Sequence, residues 1–310
     1  MKKINPLLLI ILFLGGMLVA GFCFAQGGGA TVSPTNFEID ANPGEIKPNT
    51  IKVYNPTDNI VTIKMSVEDF HPLGEEGGVA VEPGADTTYS LKAWVTISPS
   101  EFILQPKEEK FVEFTIKIPE NAEPGGKWGS ILASPTTVSG GEGVIGATIA
   151  PSTGTLVLLR ISGEVFEELL VKEFSADQSF FEKGPVSFSI RFENTGTVHL
   201  KPRGFVRITN WRGKVTDIGF PQQNVIPGSI RKIEAKWQKE WLFGKYTAMV
   251  VGSYGDKNLP FISSVLTFWA FPWRIGLGIL IVLIIVLLFF YKTRKRWQLA
   301  LRILFKGEQK

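Results

Sequence analysis

The chain has 310 residues, a formal net charge of +4 and one cysteine. A single cysteine excludes a disulfide within the chain, so the fold must be held by core burial alone, which domains above about 100 residues permit. The small net charge is a sum over regions of opposite sign.

The N-terminal segment has the pattern of a secretory signal peptide. A basic start precedes the apolar run Leu7–Phe24, and Cys23 and Ala25 are the small residues at the −3 and −1 positions of a cleavage site. The sequence therefore predicts that residues 1–25 are a signal peptide. A lipid-modified Cys23 is the alternative, but such a cysteine follows a small residue, whereas Phe22 is large.

Charge divides the rest of the exported part into two regions. Residues 26–170 hold 9 bases and 20 acids, a net charge of −11, whereas residues 171–274 hold 15 bases and 8 acids, a net charge of +7. We therefore expect an acidic domain at 26–170 and a basic domain at 171–270. The basic domain favours anionic lipid or envelope polymers as partners, although ordinary solubility charge explains the same asymmetry.

Both regions have the periodicity of β-strands. Apolar and polar residues alternate over 61–68, over 112–118 and over 186–193, as half-buried strands require. Turns that contain proline or glycine, such as residues 42–44 and 123–126, separate these runs. No stretch before Pro272 has a convincing helical period. The pattern predicts an all-β fold built of β-sandwiches.

A glycine-rich stretch at residues 135–152 interrupts this rhythm. It reads PTTVSGGEGVIGATIAPS and carries a single charge. A phosphate-binding loop would need a strand before it, a helix after it and usually a lysine. We therefore predict a flexible loop or an edge hairpin here.

The second region repeats motifs of the first. A strand leads into Asn55-Pro56-Thr57 in one and into Asn194-Thr195-Gly196 in the other. Gly126-Lys127-Trp128 in the first region has a counterpart in Gly244-Lys245-Tyr246 in the second. The economical interpretation is two tandem sandwiches of one architecture.

A transmembrane helix is predicted at residues 271–291. Its core, Ile275–Tyr291, is uniformly apolar and covers roughly 25 Å as a helix, close to the ~30 Å hydrocarbon layer. Aromatic residues bracket the run, and bases follow it as they do on the cytoplasmic side of a span. The expected anchor residues are Trp273, Arg274, Tyr291, Lys292, Arg294, Lys295 and Arg296.

These features predict a single-pass type I protein with residues 292–310 as a basic cytoplasmic tail. On a helix, Trp297, Leu301 and Leu304 recur at spacings of three and four residues. Such a face would lie flat on the inner leaflet or dock on a partner. A short disordered tail is the open alternative, because so few residues make a marginal helix in water.

Signs of catalysis are few in this sequence. The two histidines, His71 and His199, belong to different predicted domains, so neither a histidine metal cage nor a catalytic triad is expected within one domain. Ser229-Ile230-Arg231-Lys232 matches an SxxK pattern, but it leads into a predicted strand rather than opening a helix. We expect no enzyme activity, no cofactor and no metal.

Tryptophans at turns are the candidate binding residues. Trp128 follows Lys127, and Trp211 precedes Arg212, so each pair offers an aromatic face beside a cation at a predicted turn. Structural packing is an alternative role for both. Trp237 alternates with polar neighbours and is expected in the core.

Three segments give the chain a resemblance to a known family. They are ISPSEFILQPKEEKFVEFTIKIPENAEPGGKWGSILAS at 97–134, ENTGTVHLKPRGFVRITNWRGKV at 193–215 and FWAFPW at 268–273 before the span. This layout resembles the WxL-interacting proteins of bacterial cell surfaces. The resemblance implies two immunoglobulin-like domains, one described as binding peptidoglycan and one as binding a host or partner. A looser similarity extends to pilus-chaperone and fibronectin type III modules.

The sequence thus favours a non-catalytic, membrane-anchored surface protein that binds peptidoglycan or a secreted surface protein through immunoglobulin-like domains. The alternative is an assembly or scaffolding component of a membrane secretion or pilus-like complex. Membrane lipids are expected partners of the span and the tail, and nucleic acid is not.

Overall fold

The computed structural model describes residues 29–81, 88–141, 144–149 and 151–306. The predicted signal peptide at 1–25 lies outside these residues. The described part is mostly β-structure, with one short 3-10 helix at Lys92–Trp94 and one long C-terminal α-helix. The expectation of an all-β body followed by an apolar helix is confirmed at this level.

The strands before residue 162 form two facing sheets and one separate hairpin. In the described part of the chain these strands are β1 (Thr31–Ser33), β2 (Asn36–Ala41), β3 (Ile46–Tyr54), β4 (Val61–Glu68), β5 (Phe70–Leu73), β6 (Gly78–Val81), β7 (Val95–Ser98), β8 (Glu101–Leu104), β9 (Glu109–Lys117), β10 (Gly125–Gly141), β11 (Val144–Ile149) and β12 (Thr153–Ile161). One sheet has the order β1-β3-β9-β7, and the other has the order β2-β12-β10-β4-β8 with β11 beside β10. We call this unit the first sandwich.

Alternation of side chains explains why these sheets pack face to face. Ile51 on β3 and Phe114 on β9 are buried from one sheet, while Ile63 on β4, Ile131 on β10 and Leu159 on β12 are buried from the other. Successive residues of a strand point to opposite faces, so each strand contributes every second residue to a shared core. β5 and β6 lie outside both sheets as a separate hairpin.

The strands from residue 169 to residue 270 form a second unit with its own core. They are β13 (Leu169–Ala176), β14 (Phe180–Phe181), β15 (Val186–Asn194), β16 (Arg203–Asn210), β17 (Val215–Gly219), β18 (Ile230–Trp237), β19 (Gly244–Tyr254), β20 (Leu259–Ile262) and β21 (Leu266–Ala270). One sheet has the order β13-β15-β18, and the other has the order β14-β21-β19-β16-β17 with β20 beside β19. We call this unit the second sandwich.

Aromatic rings fill the core of the second sandwich. Phe188 lies against Phe174 and Phe268, with ring centroids 5.7 and 5.9 Å away, and Phe268 stacks on Tyr246 at 5.3 Å. Trp237 is buried in the same core, as the alternation of its strand predicted. Burial of large rings supplies the stabilisation that a chain without disulfides needs.

Two buried asparagines have equivalent positions in the two sandwiches. The Nδ2 of Asn55 donates at 2.8 Å to the carbonyl oxygen four residues ahead and at 2.9 Å to that of Gln105. The Nδ2 of Asn194 donates at 2.8 Å to the carbonyl four residues ahead and at 2.7 Å to that of Val225. Each amide therefore ties the loop after its strand to a segment far along the chain. This shared hydrogen bonding explains why the sequence has similar turns at Asn55 and Asn194.

The glycine-rich stretch forms a hairpin. Residues 136–141 of β10 pair with β11 in antiparallel register, from Thr136 opposite Ile149 to Gly141 opposite Val144. Of the two alternatives that the sequence left open, the described backbone corresponds to the hairpin.

The C-terminal helix α1 runs from Trp273 to Lys306. It is longer than the 271–291 predicted from the sequence, because the helix continues into the basic tail without a break. The described backbone of the tail is therefore helical up to residue 306.

Candidate functional site

The first part of α1 has the length and composition of a membrane span. Its segment Trp273–Thr293 has 21 residues and a mean hydropathy of 2.8, and none of it is buried against the rest of the protein. At 1.5 Å per residue this segment covers roughly 30 Å, the thickness of the hydrocarbon layer. Tyr291 and Lys292, two of the expected anchor residues, lie exposed near its far end. Arg294, Lys295 and Arg296 follow within the same helix.

The apolar part of α1 follows the second sandwich almost directly. Only Phe271 and Pro272 separate β21 from α1. The N–H of Phe271 donates to the carbonyl of Phe181 at 2.9 Å, and the N–H of Gly276 donates to that of Pro272 at 3.1 Å. Because both sides of this connection are hydrogen-bonded, it is not a free linker.

Exposed aromatic side chains surround this junction. Gly244 pairs with Ala270, and Asn210 pairs with Tyr246, so the loop before β19 and the turn after β16 both lie at the end of the sandwich that adjoins α1. We call this region the α1 end. Its exposed aromatic residues are Phe180, Trp211, Trp241, Phe243, Trp269, Phe271 and Trp273.

The aromatic rings at the α1 end contact one another and nearby cationic side chains. The Phe243 and Phe271 rings have centroids 5.8 Å apart. The Arg212 guanidinium lies 4.5 Å from the Trp211 ring, and that of Arg274 lies 5.5 Å from the Trp273 ring. Trp211 packs over Gly244, where a Cβ would overlap the indole. This surface is aromatic and basic together.

A cleft lies between the α1 end and the first turn of the helix. It has a volume of about 440 Å³, and Trp241, Pro272 and Ile275 form its apolar part. Glu182 and Lys183 lie at its polar side. The cleft joins apolar and charged groups at the start of α1.

The opposite end of the second sandwich contacts the first sandwich. The N–H of Gly126 donates to the carbonyl of Thr197 at 2.8 Å, and the Arg160 guanidinium lies 2.9 Å from the Asp256 carboxylate. Thr197 follows β15 and Asp256 follows β19, at the ends of those strands away from α1. The first sandwich therefore lies on the far side of the second from the span.

A charged cleft of about 170 Å³ lies at this contact. Glu38 accepts hydrogen bonds from Lys201 at 2.6 Å and from Asn224 at 2.8 Å. Burial raises the pKa of Glu38, but these hydrogen bonds and nearby positive charge together outweigh it, and the net result is a lowered pKa. Burial lowers the pKa of His199, which lines the same cleft, so its neutral form is favoured. The cleft thus holds a charged network and a neutral imidazole.

The β5–β6 hairpin is a second contact between the sandwiches. Glu75 in its turn accepts two hydrogen bonds from Arg191 of β15, at 2.7 and 2.5 Å. The backbone N–H of Lys232 on β18 donates to the carbonyl of Glu75 at 2.8 Å, and its Nζ lies 3.1 Å from Glu76. The hydrogen bonds from Arg191 hold the pKa of Glu75 below its usual value.

Acidification is expected to weaken this contact. The pKa of Glu75 is lower in the folded chain than its ordinary 4.5. The ionised carboxylate therefore contributes its full stabilisation of the fold above pH 4.5, and this contribution is lost as the pH falls through the pKa of the folded state. Between about pH 6 and about pH 3, the melting temperature of the wild type should therefore fall more than that of Glu75→Gln. Glu101→Gln, which removes an exposed carboxylate outside the contact, should behave like the wild type. Equal slopes for wild type and Glu75→Gln would contradict this assignment.

The predicted binding residues lie far apart in the fold. Trp128 belongs to β10 of the first sandwich, whereas Trp211 belongs to the turn after β16 at the α1 end. The structure does not bring Lys127 and Trp128 together with Trp211 and Arg212 in one site. Trp211 is 53% exposed, as expected for a surface residue.

The expectation that Trp128 is an exposed aromatic is corrected by the structure. Its side chain is 5% exposed, it stacks on Tyr89 at 4.3 Å, and its Nε1 donates to the carbonyl of Phe70 at 3.0 Å. Lys127 donates from Nζ to the carbonyl of Thr88 and lies 5.7 Å from the Trp94 ring. Sequence alternation alone does not reveal this burial, because the covering segment around Tyr89 lies 39 residues before Trp128 in the printed sequence.

The sequence analysis did not single out Trp241 and Phe243 as an exposed pair beside α1. A local signal exists, since WLFGK places three large apolar residues before a glycine turn. Their position beside the span depends on the pairing of Gly244 with Ala270, which a single sequence does not give. Within the described residues, no group of three or more His, Cys, Asp or Glu side chains is arranged to hold a metal ion.

Comparison with protein families gives no match, and neither does comparison with curated protein sequences. Among solved structures, the class 5 fimbriae chaperone CfaA is similar over 76% of this chain and 98% of its own, at 11% identity and a TM-score of 0.39. The Pseudomonas aeruginosa CupB2 chaperone is similar over 77% and 100%, at 10% identity and a TM-score of 0.36. A protein of unknown function from Porphyromonas gingivalis is similar over 78% and 98%, at 12% identity and a TM-score of 0.31. Likeness at this level assigns neither a family nor a function to this chain.

Proposed function

We propose that this chain is a non-catalytic, single-pass membrane protein that holds a binding domain away from the outer surface of the cell membrane, as a component of an envelope assembly. The two sandwiches are tandem immunoglobulin-like domains. The second is a spacer seated on the span, and the first is the acidic domain that meets a protein partner. The basic residues after the span support a cytoplasmic tail.

The course of β19 is the observation that carries this proposal. The strand begins at Gly244, next to the start of α1, and ends at Tyr254, two residues before Asp256 contacts the first sandwich. Its 11 residues cover roughly 35 Å at the rise of an extended strand. The first sandwich therefore begins roughly one full strand length from the membrane span. Such a separation suits a protein that acts at a distance from the bilayer.

The hairpin of β10 and β11 is the proposed contact with the partner. β10 starts beside Thr197 of the second sandwich and continues for 17 residues, so its glycine-rich end lies at the part of the first sandwich away from this contact. Among the described strands, β11 pairs only with β10, and residues 137–141 of β10 pair only with β11. Unpaired strand edges accept a further strand through main-chain hydrogen bonds. Few charged residues protect this edge.

Site-specific photocrosslinking in intact cells tests the function. A photoreactive residue at Val138 in the hairpin should give a discrete protein adduct, because strand addition brings a partner within contact distance. The matched control is the same residue at Phe111, which is 64% exposed on β9 of the same sandwich. Adducts of one protein at the first position and not at the second support the proposal.

Attachment to peptidoglycan is the second candidate, favoured by the family resemblance. In that case, the full-length protein in detergent would sediment with purified cell wall, and the hairpin would give no protein adduct. Such an outcome would replace the assembly role by surface attachment.

A further inference from the structure

We propose that the α1 end of the second sandwich is seated in the headgroup layer of the outer leaflet, with Trp211, Trp241 and Phe243 as its interfacial anchors. This inference rests on the proposed membrane anchoring and adds a lipid-binding surface to it. Lipid contact then fixes how the sandwich stands on the membrane.

The length of the connection forces this end close to the bilayer. If Trp273 marks the hydrocarbon boundary, Ala270 lies three residues away, at most about 11 Å along an extended chain. The headgroup layer on each side is roughly 6 Å thick. Since the connection is hydrogen-bonded to β14, the chain cannot lift the sandwich further out. Even a fully extended connection thus leaves Ala270 no more than about 5 Å beyond the headgroup layer, which is within reach of the long side chains of the loop and the turn beside Gly244.

The side chains at this end suit that environment. Trp241 is 68% exposed, and Phe243 and Trp211 are also more than half exposed. Large exposed aromatic residues are costly in water but favourable at a membrane interface, where an apolar ring and a polar edge are both satisfied. In the outward-facing row above them, Phe180 lies opposite Trp269 on neighbouring strands.

The charges at the α1 end favour anionic lipid phosphates. Acidic residues here include Asp177, Glu182 and Glu240, while the basic residues include Lys183, Arg212, Lys214, Lys239, Lys245 and Arg274. A polybasic surface near a bilayer gains favourable energy from anionic headgroups. The cleft beside Trp241 is also lined by Ile275 of the span, so a lipid headgroup and the start of its acyl chain would both find suitable groups there.

Fluorescence quenching by lipids with a nitroxide in the headgroup tests this inference. In a Cys23→Ser background the full-length chain has no other cysteine, so Lys214→Cys labels the α1 end and Ile262→Cys labels an exposed site seven residues along β19 from Gly244. In vesicles of phosphatidylcholine with phosphatidylglycerol, the label at 214 should lose most of its emission, whereas the label at 262 should keep it.

A double variant tests whether the exposed aromatic residues hold the second sandwich on the membrane or whether the sandwich is only tethered near it. Trp241→Ser with Phe243→Ser should reduce the quenching at position 214, because the sandwich loses its interfacial anchors. Ile103→Ser with Phe111→Ser removes comparable exposed area from the first sandwich and should leave the quenching unchanged. Vesicles of phosphatidylcholine alone should give weaker quenching, because they lack the anionic headgroups that attract the basic residues of the α1 end.

The outcomes distinguish the two proposals. If the protein does not float with the vesicles after an alkaline wash, the membrane anchoring itself is wrong. If it floats but the labels at 214 and 262 are quenched equally, only the seating of the α1 end is wrong. Quenching at 214 that survives the loss of Trp241 and Phe243 would overturn their role as anchors.

Discussion

Asn194→Asp is expected to lower the free energy of unfolding by about 3–5 kcal/mol. The substitution keeps the shape of a fully buried side chain but replaces its amide donor with a carboxylate. The carbonyl oxygens of Val198 and Val225, at 2.8 and 2.7 Å, would then face a negative charge instead of N–H groups. Denaturant unfolding of the full-length chain in detergent measures the loss.

Two matched variants accompany this experiment. Asn55→Asp should have a similar effect on the first sandwich, because Asn55 is buried and bonded in the same way. Asn258→Asp makes the same chemical change at an exposed position and should alter stability by no more than about 0.5 kcal/mol. A loss at Asn194 no larger than at Asn258 would refute the role assigned to the buried amides.

Trp128→Ala is expected to destabilise the first sandwich by about 3–5 kcal/mol. The substitution removes a buried indole, its stacking on Tyr89 and its hydrogen bond to the carbonyl of Phe70. Trp128→Phe should recover much of the loss, since it restores the ring but not the hydrogen bond. Thermal unfolding followed by circular dichroism measures both.

Trp211→Ala is the comparison that separates packing from binding. Its ring is 53% exposed, so its removal should cost little stability in detergent and should act only where a bilayer is present. If Trp128→Ala left stability unchanged and abolished partner binding, Trp128 would be a ligand-contacting residue after all.

Local patterns predicted the features that depend on neighbouring residues. Alternation over 61–68 and 186–193 identified β4 and β15, because a half-buried strand must alternate wherever it lies in the fold. The uniform apolar run identified the apolar first part of α1 for the same reason. The similarity of the turns at Asn55 and Asn194 also reflects local geometry, since each side chain bonds to a carbonyl four residues ahead.

Contacts between distant segments could not be predicted from the sequence. Glu38 and Lys201 are 163 residues apart in the chain, and Glu75 and Arg191 are 116 apart. Charged residues are common on surfaces, and their types alone do not specify which acid meets which base. Trp128 and Trp211 resembled each other as turn aromatics beside cations, yet strand pairing buried one and exposed the other. Whether such a tryptophan is buried depends on how the strands pair, and the local motif of an aromatic residue beside a cation does not reveal it.

The ends of the second sandwich determine how it would bear mechanical load. The chain enters at Leu169 of β13, opposite Asn194 at the end near the first sandwich, and leaves at Ala270 of β21, beside the membrane span. A pull on the first sandwich would therefore act along the strands and not across them. Many backbone hydrogen bonds of β13 and β21 would share the load at once, instead of opening one after another. In the proposed role, the second sandwich would therefore transmit tension from the first sandwich to α1 while it stays folded.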